Sequence, residues 1–214
     1  MRFLFVWFVK LTGWIPQLLI LRLKVFYEDK SVQSKKIKGG AIVVSNHNAV
    51  LDFAVMMYVF WRRTLRCVVA EIMYQKNVFF SLFLRMIGSI KVNRDAHDFS
   101  FIEKSAEIIK KGGVVEIYPE GRIPTKEDVE RPLEFKPSAV YLALETGAPI
   151  IPVYNARRGF KGRGNVIIGK PIYVRELYDD NLTEKQNIEN INNTLRGKII
   201  ELGKELEEKT KARH

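Results

Sequence analysis

The chain has 214 residues, 47% of them hydrophobic, and a formal net charge of +11. That length supports one domain with a real core, and that composition excludes general disorder. The positive balance favours an anionic partner: nucleic acid, an anionic membrane, or an acidic substrate or protein.

The first thirty residues are densely apolar and aromatic, interrupted by Lys10 early and by Arg22 and Lys24 late. No apolar run reaches the roughly 18 residues of a membrane span. A secretory signal fits poorly, because no small-residue cleavage site follows. Pro16 divides the stretch into two expected short helices, Phe3 to Leu11 and Pro16 to Val25. Residues 1–30 are read as a helical hairpin that associates with a membrane. Trp7 and Trp14 suit a headgroup boundary, and Arg22 and Lys24 suit contact with anionic lipid. The alternative is a hairpin packed on the core of the domain itself.

From residue 31 to 214 the pattern alternates strand and helix. "AIVVSN" (Ala41 to Asn46) reads as a buried strand, Leu51 to Trp61 as an apolar helix and "LRCVVA" from Leu65 as a second strand. Cys67 in that strand cannot form an internal disulfide and reads as a core thiol. Phe79 to Ile87 reads as a helix and Ser89 to Arg94 as a strand. A helix follows with Ser100 and Glu103 as a capping box, closed by Gly112 and Gly113. "VVEIY" (Val114 to Tyr118) is a strand, and Ser138 to Thr146 is a helix stopped by Gly147. "PIIPVYNA" and "NVIIGKPIYV" are two more strands. From Thr183 one amphipathic helix carries Ile188, Ile191, Leu195, Ile199, Leu202 and Leu206 at spacings of three and four, weakened by Gly197 and Gly203. The fold class is α/β, a sandwich with a mainly parallel central sheet flanked by helices.

Polar clusters follow three of the strands, at His47, Arg94 and Glu120. In open α/β sheets ligands bind beyond the carboxyl ends of the strands, so parallel strands place all three clusters at one edge. Along a regular helix five residues turn about 500°, which puts His47 and Asp52 some ~140° apart. They pair only if His47 lies in a turn and Asp52 opens the next helix. Asp52 then fixes the imidazole tautomer and leaves the other nitrogen as a base. The competing reading is a capped turn before a helix start.

Four motifs occur in order between Ala41 and about Val174: "HNAVLD" (His47 to Asp52), "GSIKVNR" (Gly88 to Arg94), "YPEG" (Tyr118 to Gly121) and "IIPVY" (Ile150 to Tyr154). In these the chain resembles the lysophosphatidic acid acyltransferase family of glycerolipid acyltransferases. The resemblance implies acyl transfer from a thioester, acyl-coenzyme A or acyl carrier protein, to the hydroxyl of a lysophospholipid acceptor. The expected product is phosphatidic acid, made at the cytoplasmic face of a membrane. His47 is the implied base and Asp52 its partner. No acyl-enzyme is required, so Cys67 is not a nucleophile. Arg94 is the implied phosphate ligand, and Gly88, Glu120 and Gly121 shape the acceptor site. The third motif departs from the family order, reading "EGRI" where glutamate-glycine-threonine-arginine is usual. Arg122 therefore stands one position early, which bears on the acceptor headgroup. "FKPSA" departs as well, where the family often has a glycine near Ser138. Lys136 there is expected to face an anionic ligand at a helix start.

Competing chemistries fit less well. "GNVIIGK" fits a phosphate loop only up to Pro171, where a hydroxyl is needed. No G-x-S-x-G occurs. His47, His97 and His214 lack metal-ligand spacing, so no metal and no cofactor are expected. The alternative of another class is a non-enzymatic protein that binds a membrane surface or nucleic acid through its basic surface, with "RRGFKGRG" (Arg157 to Gly164) as its best support; that loop is read instead as contact with a headgroup or an acidic carrier protein. Aromatic residues are not interleaved with the basic ones as base-stacking would require, so no nucleic acid is expected.

Overall fold

The computed structural model describes residues 2–93, 100–125, 128, 133–156 and 164–212. Two helices lead, α1 (Arg2–Thr12) and α2 (Trp14–Ile20). The remaining elements are β1 (Lys24–Tyr27), β2 (Ala41–Ser45), α3 (Asp52–Val59), β3 (Leu65–Ala70), α4 (Glu71–Gln75), α5 (Val78–Ile87), β4 (Ile90–Val92), α6 (Ser100–Lys110), β5 (Val114–Ile117), α7 (Ser138–Thr146), β6 (Ile150–Asn155), β7 (Asn165–Ile168) and α8 (Glu184–Lys211). The strands form one sheet in the order β1-β7-β6-β2-β5-β3-β4. Every pairing is parallel except β6 with β7. The expected mainly parallel sheet is present.

β2 and β5 lie at the centre and are buried at every residue, which is why they read as unbroken β-branched runs. One face of the sheet packs on α6, α7 and the first half of α8, through Ile42, Val44, Ile109, Leu142, Ile191 and Leu195. The other face packs on α3, through Val43, Val55, Met56 and Phe60. The six apolar positions expected along α8 are all buried. Its start carries a complete capping box, Thr183 with Gln186. Gly203 proves to be a packing site, because an added Cβ would stand 3.0 Å from the Tyr154 ring of β6. Glycine there lets α8 lie close on the sheet.

The element boundaries correct five expectations. The second leading helix does not run to Val25. It ends at Ile20, and the chain enters the sheet at Lys24 as edge strand β1, registered with β7. α4 was not foreseen, and at five residues it is too short to show a period. "NVIIGKPIYV" is a strand only to Ile168. There Gly169 donates to the Pro152 carbonyl at 2.9 Å, and after a single bridge at Ile172 a 3₁₀ turn spans Val174–Leu177. The helix after β2 is shorter than expected, beginning at Asp52 and ending at Val59. Ser100, expected to cap α6 with Glu103, is instead the first residue of that helix. His97, His214 and the basic loop from Arg157 to Arg163 lie outside the described residues.

The leading hairpin has two faces. On the inner one Lys10 is 1% exposed and donates to the carbonyls of Trp61 and Arg63 at 2.7 and 2.8 Å. Its ammonium lies 5.5 and 5.6 Å from the rings of Trp7 and Trp61. Burial pulls its pKa down to about 8. Lys10, which the sequence presents as an interruption, is therefore the peg of the hairpin. On the outer face Leu4, Phe8, Leu11, Ile15, Leu18 and Leu19 are exposed. Among the described residues no helix is long and apolar enough to cross a membrane.

Candidate active site

β2 stops at Ser45 and α3 starts at Asp52, so six residues carry the chain over the carboxyl edge of the sheet. His47 falls in that turn and Asp52 is the first helical residue. This is the one placement in which the pair can meet, and Asp52 Oδ2 lies 2.8 Å from His47 Nδ1. Oδ2 also accepts from the backbone N–H of Asn48 at 2.6 Å and of Ala49 at 2.8 Å. Oδ1 accepts from Asn155 Nδ2 at 2.9 Å. Asp52 is fully buried, and four donors surround its carboxylate. With such a partner Nδ1 carries the ring proton and Nε2 presents its lone pair. Nε2 has no hydrogen-bond partner among the described residues. Asp52 thus both orients His47 and ties down the turn, so the two readings of this spacing describe one arrangement.

Asn155 ends β6 and interlocks with Asn46 at the end of β2. Asn155 N donates to Asn46 Oδ1 at 2.8 Å, and Asn46 Nδ2 donates to Asn155 O at 3.0 Å. Asn48 Nδ2 reaches the same carbonyl at 2.6 Å. Sequence reasoning missed all three asparagines. Their signal is position, since each stands at or just beyond the carboxyl end of a buried parallel strand.

The turn after β5 closes the site from the other side. Gly121 takes φ +73°, which favours glycine, and its N–H donates to the Tyr118 carbonyl at 3.0 Å. Glu120 Oε2 accepts the His47 backbone N–H at 3.1 Å. Burial pushes the Glu120 carboxyl up to about 6. The Tyr118 ring stacks on the His47 imidazole with centroids 4.4 Å apart and planes 23° apart.

His47 lines a cavity of about 300 Å³ whose walls are apolar side chains of α3, α4, α5 and β3, among them Phe53, Val69, Met73, Phe80 and Leu84. Cys67 also borders it. Burial first, then the charges of Glu116 and Asp52, push that thiol far up, so it is not poised as a nucleophile. A larger cavity of about 1060 Å³ lies between α6, α7 and the sheet, and Val68, Tyr118 and Gly121 border both.

The other expected site residues divide. Lys136 comes beside Gly121, with Cε 3.2 Å from where a Cβ would stand, and it borders the larger cavity. Arg122 borders the His47 cavity, but its guanidinium makes two 2.6 Å contacts to Asp128. Arg94 lies outside the described residues. Gly88 closes α5 at φ +78°, where a Cβ would collide with the Arg66 guanidinium, and it borders neither cavity.

The sequence model of the Acyltransferase family matches residues 24–155, well over half of the chain. The chain belongs to the Acyltransferase family. That match runs from β1 to Asn155 and so encloses the whole His47–Asp52–Asn155 cluster. Among curated relatives, the chain is 29% identical over 136 residues to human 1-acyl-sn-glycerol-3-phosphate acyltransferase beta, covering 59% of this chain. It is 27% identical over 174 residues to the 1-acyl-sn-glycerol-3-phosphate acyltransferase of Borreliella burgdorferi, covering 76% of this chain. It is 30% identical over 139 residues to that of Bacillus subtilis, covering 62% of this chain. The chain spans 48% of the human relative and 66% of each bacterial one. The fold of this acyltransferase-family chain is similar to the crystal structure of the 1-acyl-sn-glycerophosphate acyltransferase PlsC of Thermotoga maritima. The TM-score is 0.56 at 19% identity, covering 85% of this chain and 73% of that one.

Proposed function

We propose that this protein transfers a fatty acyl group from a thioester donor to the free hydroxyl of lysophosphatidic acid, giving phosphatidic acid. The observation that carries the reading is the His47–Asp52 pair set in the wall of an apolar cavity. His47 Nε2 takes the hydroxyl proton as the hydroxyl oxygen attacks the thioester carbonyl. Asp52 stabilises the imidazolium that forms. When the C–S bond breaks, the imidazolium returns the proton to the leaving thiolate, and a free thiol departs. The acyl chain lies in the cavity beside α5. The acceptor phosphate is held by Arg94, Lys136 and Arg122, with Arg122 exchanging its Asp128 partner for the ligand. Glu120 and Gly121 shape the turn around that headgroup. The donor is acyl-coenzyme A or acyl carrier protein, and no further cofactor takes part.

The acceptor is a membrane lipid, and the outer face of the hairpin supports work at a membrane surface, on its cytoplasmic side. Leu4, Phe8, Ile15 and Leu19 are each more than 60% exposed, an arrangement that suits burial at the headgroup boundary.

Thioester release with one labelled donor and a panel of acceptors tests the proposal. Release should depend on lysophosphatidic acid and fall by about a hundredfold to ten-thousandfold in His47→Ala. Near-native release by a folded His47→Ala protein overturns the mechanism. Preference for another acceptor overturns the substrate.

A further inference from the structure

Glu116 is a carboxylic acid in the middle of the central strand β5, 1% exposed, in register with Val43 on one side and Cys67 on the other. Buried acids are costly unless something requires them. The hydrogen bond it makes is to the Tyr118 hydroxyl, which donates to Glu116 Oε1. Tyr118 in turn stacks on His47. The chain of contact therefore runs from the core of the sheet to the ring proposed as the base.

We propose that Tyr118, anchored by Glu116, is a positioning residue that fixes the plane of the His47 imidazole; the proposal rests on the reading of His47 as the base. The Asp52 bond holds one edge of the ring, at Nδ1. A ring held by one edge can still rock about that bond and swing Nε2 off the acceptor hydroxyl. The Tyr118 face removes that freedom. Stacking alone is compliant, since Tyr118 itself could slide, and the Glu116 bond makes the platform rigid. The groups that face Glu116 are Tyr118 just beyond the end of its own strand, Cys67 on β3 and Asp52 on α3. None is a cation, so burial beside a carboxylate favours the neutral acid, and its carboxyl is pushed up to about 8. A neutral acid still accepts the tyrosine hydrogen bond through its carbonyl oxygen.

The test compares Tyr118→Phe, Glu116→Leu, their double variant and Glu116→Gln by kinetics and by the NMR signals of the His47 ring. Tyr118→Phe and Glu116→Leu should each lower kcat by roughly tenfold to a hundredfold, the range in which misplacement of a reacting group acts. KM should move little. The double variant should lose no more than either single one, because both break one link. Glu116→Gln keeps a neutral acceptor and should restore kcat toward the native value. The His47 ring signals should broaden or split in the first three proteins and stay native-like in the fourth. Unchanged ring signals, additive losses, or no rescue by glutamine overturn the inference. The ring signals do not require turnover, so they separate this failure from failure of the base assignment, which His47→Ala reads.

Discussion

Asn155 donates from Nδ2 to Asp52 Oδ1 at 2.9 Å, so the carboxylate oxygen that His47 does not use has its own partner. The bond joins the end of β6 to the start of α3 across the mouth of β2. Both groups are fully buried, so neither has water to fall back on.

Asn155→Leu should therefore cost about 1–3 kcal/mol, the usual penalty of leaving one buried acceptor unsatisfied. The backbone bonds of residue 155 to Asn46 survive the change, so the strand end stays tied while Oδ1 loses its donor. A denaturant midpoint measured at constant slope reads the effect. An unchanged midpoint would mean that the turn relaxes to supply another donor.

Glu116 should make stability depend on pH in a calculable direction. Its folded pKa is raised to about 8 from an ordinary 4.5, chiefly by burial. Between those values the folded chain holds a proton that the unfolded chain has released. The contribution is fully present below 4.5 and is lost as pH rises through 8. The native protein should lose up to about 1.4 kcal/mol per pH unit from this group across the window. Glu116→Gln removes that slope, so the variant should gain on the native protein steadily from pH 4.5 to 8. Parallel curves for the two proteins would show that Glu116 titrates normally.

Much of this arrangement was legible in residue order, and the exceptions have physical causes. Central strands announce themselves because both faces are buried, as in Ala41 to Ser45. The His47–Asp52 spacing was legible too, once the turn and the helix start were placed. β1 was not, because "LKVFY" at a sheet edge carries four residues of strand and continues an apolar helical pattern. Glu116 was visible as a charge inside "VVEIY", yet nothing in the string pairs it with the tyrosine two residues on. Asn155 was invisible as a partner of Asp52. Its role depends on strand order, which places β6 next to β2 although 109 residues separate Asn46 from Asn155.

The strand β1 also changes how the hairpin must be tested. Deleting residues 1–30 would remove an edge strand as well as the two helices. Phe8→Glu with Leu19→Glu is cleaner, since these side chains are 62% and 73% exposed and lie away from Lys10. Each substitution removes apolar area from a surface that would bury it in lipid, about 25 cal/mol per Å², and adds a charge repelled by anionic headgroups. Sedimentation with anionic liposomes should fall sharply while the thermal midpoint stays within a degree or two of native, as for ordinary surface changes. Retained liposome binding would move the membrane contact elsewhere. A collapsed midpoint would make this face a packing surface.

The four donors around Asp52 allow one further test, which separates its charge from its geometry. Asp52→Asn keeps one acceptor oxygen, and three donors compete for it: His47 Nδ1 and the backbone N–H groups of Asn48 and Ala49. The new amide nitrogen must then face Asn155 Nδ2, donor against donor, in a fully buried contact. The single variant should lose about 1–3 kcal/mol of stability as well as activity. Adding Asn155→Asp turns the opposing donor into an acceptor. The double variant should recover most of that stability, because every hydrogen bond is restored with its polarity reversed across the 52–155 contact. It should not recover kcat. The negative charge now stands one residue farther from the imidazole, and attraction between charges falls with their separation. Recovery of both would mean that the cluster needs a buried charge but not one in contact with His47. Recovery of neither would mean that the hydrogen bonds around Asp52 are not what holds the turn.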